Sequence, residues 1–110
     1  MRYADAEMMR KYLEALAGLL RESGDSARAA MVQNVITEPD RLRDFLMSED
    51  LWGGSGSVAD EAGGPGRSQT RREIERLLIL IGRDQIRLGI ANPRTAMWVD
   101  AFTSWEQAGV

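Results

Sequence analysis

Apolar residues recur at three- and four-residue spacing through most of this chain, and no stretch shows the strict alternation of a half-buried strand. That periodicity restricts the fold to packed helices. Met9, Tyr12, Leu13, Leu16, Leu19 and Leu20 line one face of a helix predicted from Ala4 to Glu22, which Ser23-Gly24 ends. Asp25 or Ser26 caps a second helix running to Ile36. Its face is small, built from Ala29, Val32, Val35 and Ile36, and suits close helix approach. Thr37 is expected to cap a short third helix with Pro39 in its first turn, Asp40 three residues after the cap, and Leu42, Phe45 and Leu46 on its buried side. A fourth helix runs from Thr70 to Leu88, with Ser68 or Thr70 as cap and Gly89 as stop. Asn92-Pro93 starts a fifth that ends near Ala108 and carries Met97, Trp98, Ala101, Phe102 and Trp105 on its apolar face. The expected fold is all-α: a compact single-domain bundle of four or five helices over residues 1–110, with a long Gly-rich loop over residues 48–69 between helices 3 and 4.

The chain contains no histidine and no cysteine. Ser-His and Cys-His nucleophilic catalysis are therefore excluded, as are zinc sites of the usual kind and a disulfide-stapled scaffold. At 110 residues the chain is long enough to bury a core without metal or cross-link. No basic segment followed by an apolar run opens it, so no signal peptide is expected. The longest aliphatic run, Leu77 to Ile81, is too short to span a bilayer. A cytoplasmic protein without membrane contact is the expectation. Lys11 is the only lysine beside 13 arginines, a bias that fits a GC-rich bacterial genome. Residues 1–66 sum to −5 and residues 67–110 to +2, for a net charge of −3 that disfavours nucleic acid as a partner. A helix-turn-helix reading of helices two and three fails for the same reason. The would-be recognition helix carries Asp40, Asp44 and Glu49 beside Arg41 and Arg43.

Two places stand out. The first is Leu51-Trp52-Gly53-Gly54-Ser55-Gly56-Ser57-Val58-Ala59-Asp60. In the structural reading, Trp52 plugs the end of the bundle and the glycines let the chain turn. In the functional reading, the backbone amides form an anion-binding nest. Ser57 is placed to cap a short helical turn, with Asp60 completing a capping box. The run is not a P-loop, because no Lys-Ser or Lys-Thr follows the last glycine, and it does not follow a strand. Trp52-Gly53-Gly54-Ser55-Gly56-Ser57 followed by Asp60 resembles a motif of small bacterial helical proteins of the domain-of-unknown-function type, some of them among toxin-immunity genes. The resemblance covers about ten of the 110 residues. It implies a small bacterial partner-binding protein and assigns no reaction and no catalytic residue.

The second place is helix four. Ile74, Leu77, Leu78, Ile81, Gln85 and Leu88 fall on one side, while Arg72, Arg76, Arg83 and Arg87 fall on the other with Ile79 and Leu80. Either this is the central helix, its arginines reaching Glu49, Asp50, Asp60 or Glu61, or Arg76, Ile79, Leu80, Arg83 and Arg87 form a partner surface. Trp98, Phe102 and Trp105 read as core rather than as a ligand cage.

No catalytic residue, cofactor or metal site is predicted. Glu49-Asp50 and Asp60-Glu61 flank the glycine loop and could converge, but their order does not match a calcium loop. The function expected is a non-enzymatic protein-binding module, most concretely an immunity or antitoxin-type inhibitor that blocks a basic partner protein, such as a toxin or effector. Its candidate contacts are Glu49, Asp50, Trp52, Asp60 and Glu61, with Arg76, Arg83 and Arg87 as a second surface. The alternatives are a small carboxylate-based metal- or ligand-binding enzyme, or a homo-oligomeric structural module built on helix four.

Overall fold

The computed structural model describes residues 2–62 and 69–109. Among these, seven α-helices and one 3-10 turn follow one another, and no strand occurs. They are α1 (Tyr3–Glu22), α2 (Ser26–Thr37), the 3-10 turn Pro39–Arg41, α3 (Leu42–Leu46), α4 (Glu49–Trp52), α5 (Val58–Ala62), α6 (Gln69–Leu88) and α7 (Thr95–Ala108). No helix of the described residues is long and apolar enough to cross a membrane.

The ends of the long helices follow from local sequence. At the end of α1, Gly24 adopts a left-handed φ of 89°. Gly24 N–H then donates to Arg21 O and Asp25 N–H to Leu20 O, a Schellman closure that satisfies carbonyls the helix leaves open. Gly89 repeats the device at the end of α6, with Ile90 N–H donating to Gln85 O. Asp25 caps α2, its carboxylate accepting from Arg28 N–H at 3.2 Å. Asn92 serves α7: its Oδ1 accepts from Arg94 N–H at 2.8 Å and Thr95 N–H at 3.0 Å, while its amide nitrogen donates back to Met47 and Ser48 carbonyls.

The core is one cluster. Met9, Leu13, Leu16 and Ala17 of α1 meet Ala29 and Val32 of α2, Leu78 and Ile81 of α6, and Phe102 of α7, all buried. Helix α1 packs against both α2 and α6, and α6 packs in turn against α7. Helices α1 and α6 run antiparallel: Asp5 reaches Arg87, while Leu20 and Ile74 border the same cleft. The α6–α7 pair is tight because Gly82 sits at the crossing. A methyl there would run into the Val99 side chain and lie 3.2 Å from the Trp52 ring.

Two sequence expectations need correction. The bundle has more helices than four or five, because the stretch predicted as a loop over residues 48–69 contains α4 and α5. Each is about one turn long and gives too short a window for periodicity, yet Leu51, Trp52, Val58 and Ala59 are all buried and tertiary contact holds them helical. The part of that loop over residues 63–68 lies outside the described residues. Thr37 does not cap a third helix. It is the last residue of α2, its hydroxyl donating to Asn34 O at 3.0 Å, and the 3-10 turn begins at Pro39.

The two helical glycines should respond oppositely to an added methyl. A Cβ at Gly18 in α1 would have no neighbour within 4 Å beyond the helix's own backbone, so Gly18→Ala should raise stability by about 0.5–1 kcal/mol through helix propensity. Gly82→Ala should lower it by about 1–3 kcal/mol through overpacking. Urea denaturation of the two variants checks both signs.

Candidate functional site

The glycine-rich corner is organised by Trp52. Its ring is fully buried, and its Nε1–H donates to Gln85 Oε1 at 2.7 Å. Gln85, equally buried, donates through Nε2 to Leu46 O at 2.6 Å and Ile90 O at 3.0 Å. One side-chain amide thus ties α3, α4, α6 and the α6–α7 turn together. Trp52 offers no surface to a partner; it is the plug of the bundle end.

The segment after it is satisfied from within. Gly53 O accepts from Ser57 Oγ–H at 3.1 Å and from Trp98 Nε1–H at 3.2 Å. Ser57 is the cap of α5, its hydroxyl oxygen accepting from Asp60 N–H at 3.0 Å. Asp60 closes the box one residue early: its carboxylate takes Gly56 N–H at 3.2 Å. An amide that an anion-binding nest would offer is therefore occupied by the chain's own carboxylate. Gly56 takes a left-handed φ of 88°, a conformation that L side chains avoid. Arg28 clamps the outside of this turn. Its Nε–H donates to Gly56 O at 3.0 Å, and its guanidinium pairs Asp25 at 3.1 Å and Glu61 at 3.3 Å.

The four candidate acids do not converge. Glu61 borders a cleft of about 600 Å³ between α1, α2 and α6, where Arg28 stands between Asp25 and Glu61. Asp50 borders a different groove, of about 290 Å³, between α2 and α3. There Met31, Val35 and Phe45 supply apolar lining and Asp44 and Asp50 supply exposed carboxylates. Glu49 is exposed beside Asp50. Among the described residues no group of three or more acids is placed to hold a metal ion.

The arginine ridge of α6 faces outward. Arg76, Arg83 and Arg87 are exposed, Leu80 is 40% exposed, and Ile79 is buried. The acids that meet the ridge are not those near the glycine corner. Arg87 pairs with Asp5 at 3.3 Å and Asp84 at 3.4 Å, and Arg76 lies 3.7 Å from Glu106. The hydrogen bond to Asp5, joined by the field of Asp84, raises the proton affinity of Arg87 above its ordinary value. Arg83 has no ion pair among the described residues. At the other edge of α7, Phe102 is buried, stacked on Trp98 at 5.5 Å and edge-on to Trp105 at 5.7 Å, so the ring cluster is continuous with the core.

Sequence reasoning missed Arg28. Its i,i+3 spacing from Asp25 was readable, but Gly56 and Glu61 lie 28 and 33 residues away. Gln85 carried a signal, since it is polar on an otherwise apolar helix face. The chain matches no family model, and no curated protein or solved structure is significantly similar to it.

Removing the plug should cost about 3–5 kcal/mol in Trp52→Ala, the range for large-to-small changes at buried aromatic sites. Gln85→Leu strands the Trp52 donor and two carbonyls and should cost about 2–4 kcal/mol. In a double-mutant cycle with Trp52→Phe, the two losses should be less than additive, which chemical denaturation of the three variants measures.

Proposed function

We propose that this chain is a non-enzymatic protein-binding module that receives a basic side chain of another protein in the groove between α2 and α3–α4. The observation that carries the reading is an imbalance of charge. Asp40, Asp44, Glu49 and Asp50 are exposed within one short stretch, and none has an ion pair among the described residues. Of the two arginines in the same stretch, Arg41 is paired with Glu38 at 3.2 Å. Met31, Val35 and Phe45 suit the aliphatic stem of an incoming Lys or Arg and Asp44 and Asp50 its charged head, while Arg41, which also lines the groove, pairs with Glu38. The uncompensated carboxylates would speed encounter with a basic surface, and burial of the stem would slow release.

The most concrete form of this reading is a cytoplasmic bacterial inhibitor of the immunity or antitoxin type, seated on the basic active site of a toxin or effector. It retains Glu49 and Asp50 as contacts. Asp60 and Glu61 act instead within the chain, one on Gly56 N–H and the other on Arg28. A carboxylate-based metal or ligand enzyme draws no support from the geometry, because Asp50 and Glu61 line separate clefts.

The test compares immobilised wild-type chain with the Asp44→Lys/Asp50→Lys variant in extracts of the native host. Stoichiometric recovery of one basic protein by the wild type, at least about tenfold reduced by the variant and by raised salt, is the expected outcome. Equal recovery on both, or recovery of no stoichiometric protein, overturns the reading.

A further inference from the structure

The Asp44–Asp50 groove has the chemistry to tell one basic side chain from the other. Its lining comes from three helices and the turn between the last two. Helix α2 supplies Met31, Asn34 and Val35, which share one face by their three-four spacing. Helix α3 supplies Asp44 and Phe45, α4 supplies Asp50, and Ser48 precedes α4. The apolar part is already in place, since Val35 and Phe45 are buried and Met31 is half-buried. The polar part is rich in acceptors. Among the described residues the side chains of Asn34, Asp44 and Asp50 make no hydrogen bond or ion pair. Ser48 Oγ–H donates to Phe45 O at 2.7 Å, so its oxygen still accepts. Arg41 also lines the groove, but its guanidinium pairs with Glu38 at 3.2 Å rather than with Asp44 three residues on.

We propose that the occupant of this groove is an arginine of the partner protein, selected over lysine; the proposal rests on the binding reading given above. Charge alone does not separate the two, because either cation answers the carboxylates. Donor geometry does. An ammonium carries its three N–H groups on one atom, whereas a guanidinium spreads five around a plane. The acceptors here are spread as well: Asp44 and Asp50 stand on separate helices, Asn34 on a third, and Ser48 between α3 and α4. A planar fork meets two carboxylates with two edges, and a single ammonium cannot. Hydration acts in the same direction. A guanidinium holds water less tightly than an ammonium, so it gives up less on lying against Met31 and Phe45. Asn34, Asp44 and Asp50 are exposed, which keeps the charged head at the surface while the stem lies along the apolar lining.

Amide NMR titrations of the full chain test this with three probes: N-acetyl-arginine methylamide and its lysine and citrulline counterparts. Citrulline keeps the planar shape of arginine without the charge. The arginine probe should give saturable shifts confined to the groove, at Met31, Asn34, Phe45 and Asp50, with a dissociation constant at least about fivefold below that of the lysine probe. The citrulline probe should give none. Asp44→Asn/Asp50→Asn should abolish the arginine shifts while leaving the rest of the spectrum in place, and raised salt should weaken them. A lysine probe that binds as well as arginine overturns the selectivity and leaves the basic-side-chain reading standing. Absence of saturable shifts from both cations overturns that reading too. Citrulline binding equal to arginine, or unchanged binding by the double variant, removes the role given to the carboxylates.

Discussion

The hydrogen bond from Trp52 to Gln85 is the constraint on which the arrangement of the short helices depends. A buried indole N–H and a buried carboxamide are each costly alone. Here the indole donor, the amide oxygen and both amide hydrogens are all satisfied, through Trp52, Leu46 and Ile90. The node joins elements that share little other surface. It fixes where α4 ends relative to α6, and with Gly82 beneath the Trp52 ring it also sets how α7 crosses α6. Once Trp52 is seated, Gly53 O is presented to both Ser57 and Trp98, and the turn into α5 follows.

Around this interior the charges divide into three kinds. Some are spent inside the fold, as with Arg28 on Gly56, Asp25 and Glu61, or Asp60 on Gly56 N–H. Some alternate in sign along the outer face of α6 and neutralise it locally. The third group, at α3–α4, is acidic and uncompensated. Exposed ion pairs contribute little to stability, so neither of these last two groups holds the fold together.

The long helices were legible because their signals are local. Gly24, Gly89 and Asp25 act within a few residues of themselves, and the three-four spacing identified the buried face of α1 and most of that of α6, where Ile79, placed on the arginine side, is buried as well. The Ser57 cap was legible for the same reason, whereas the sequence left Trp52 between a plug and a partner contact. The helices α4 and α5 were not. Glycines around Trp52 weigh toward loop, and a single turn has no stable helical state without the core residues it packs against. The acids flanking the glycines looked close to one another in sequence. The turn at Gly56 brings Glu61 to Arg28 near the start of α2, while Asp50 borders Met31, Asn34 and Val35 further along that helix.

The amino-acid sequence by itself determined that this chain is helical, where its long helices begin and end to within two residues, α7 starting at Thr95 rather than Pro93, and which chemistries it lacks the side chains to perform. These properties follow from residue type and short-range spacing. Only the tertiary structure decided that Trp52 is inaccessible, that Arg28 rather than the α6 ridge meets Glu61, and that four carboxylates near α3–α4 are left without counter-ions among the described residues. Those outcomes depend on contacts between residues dozens of positions apart, and which of them form is settled by packing of the whole core rather than by any local preference.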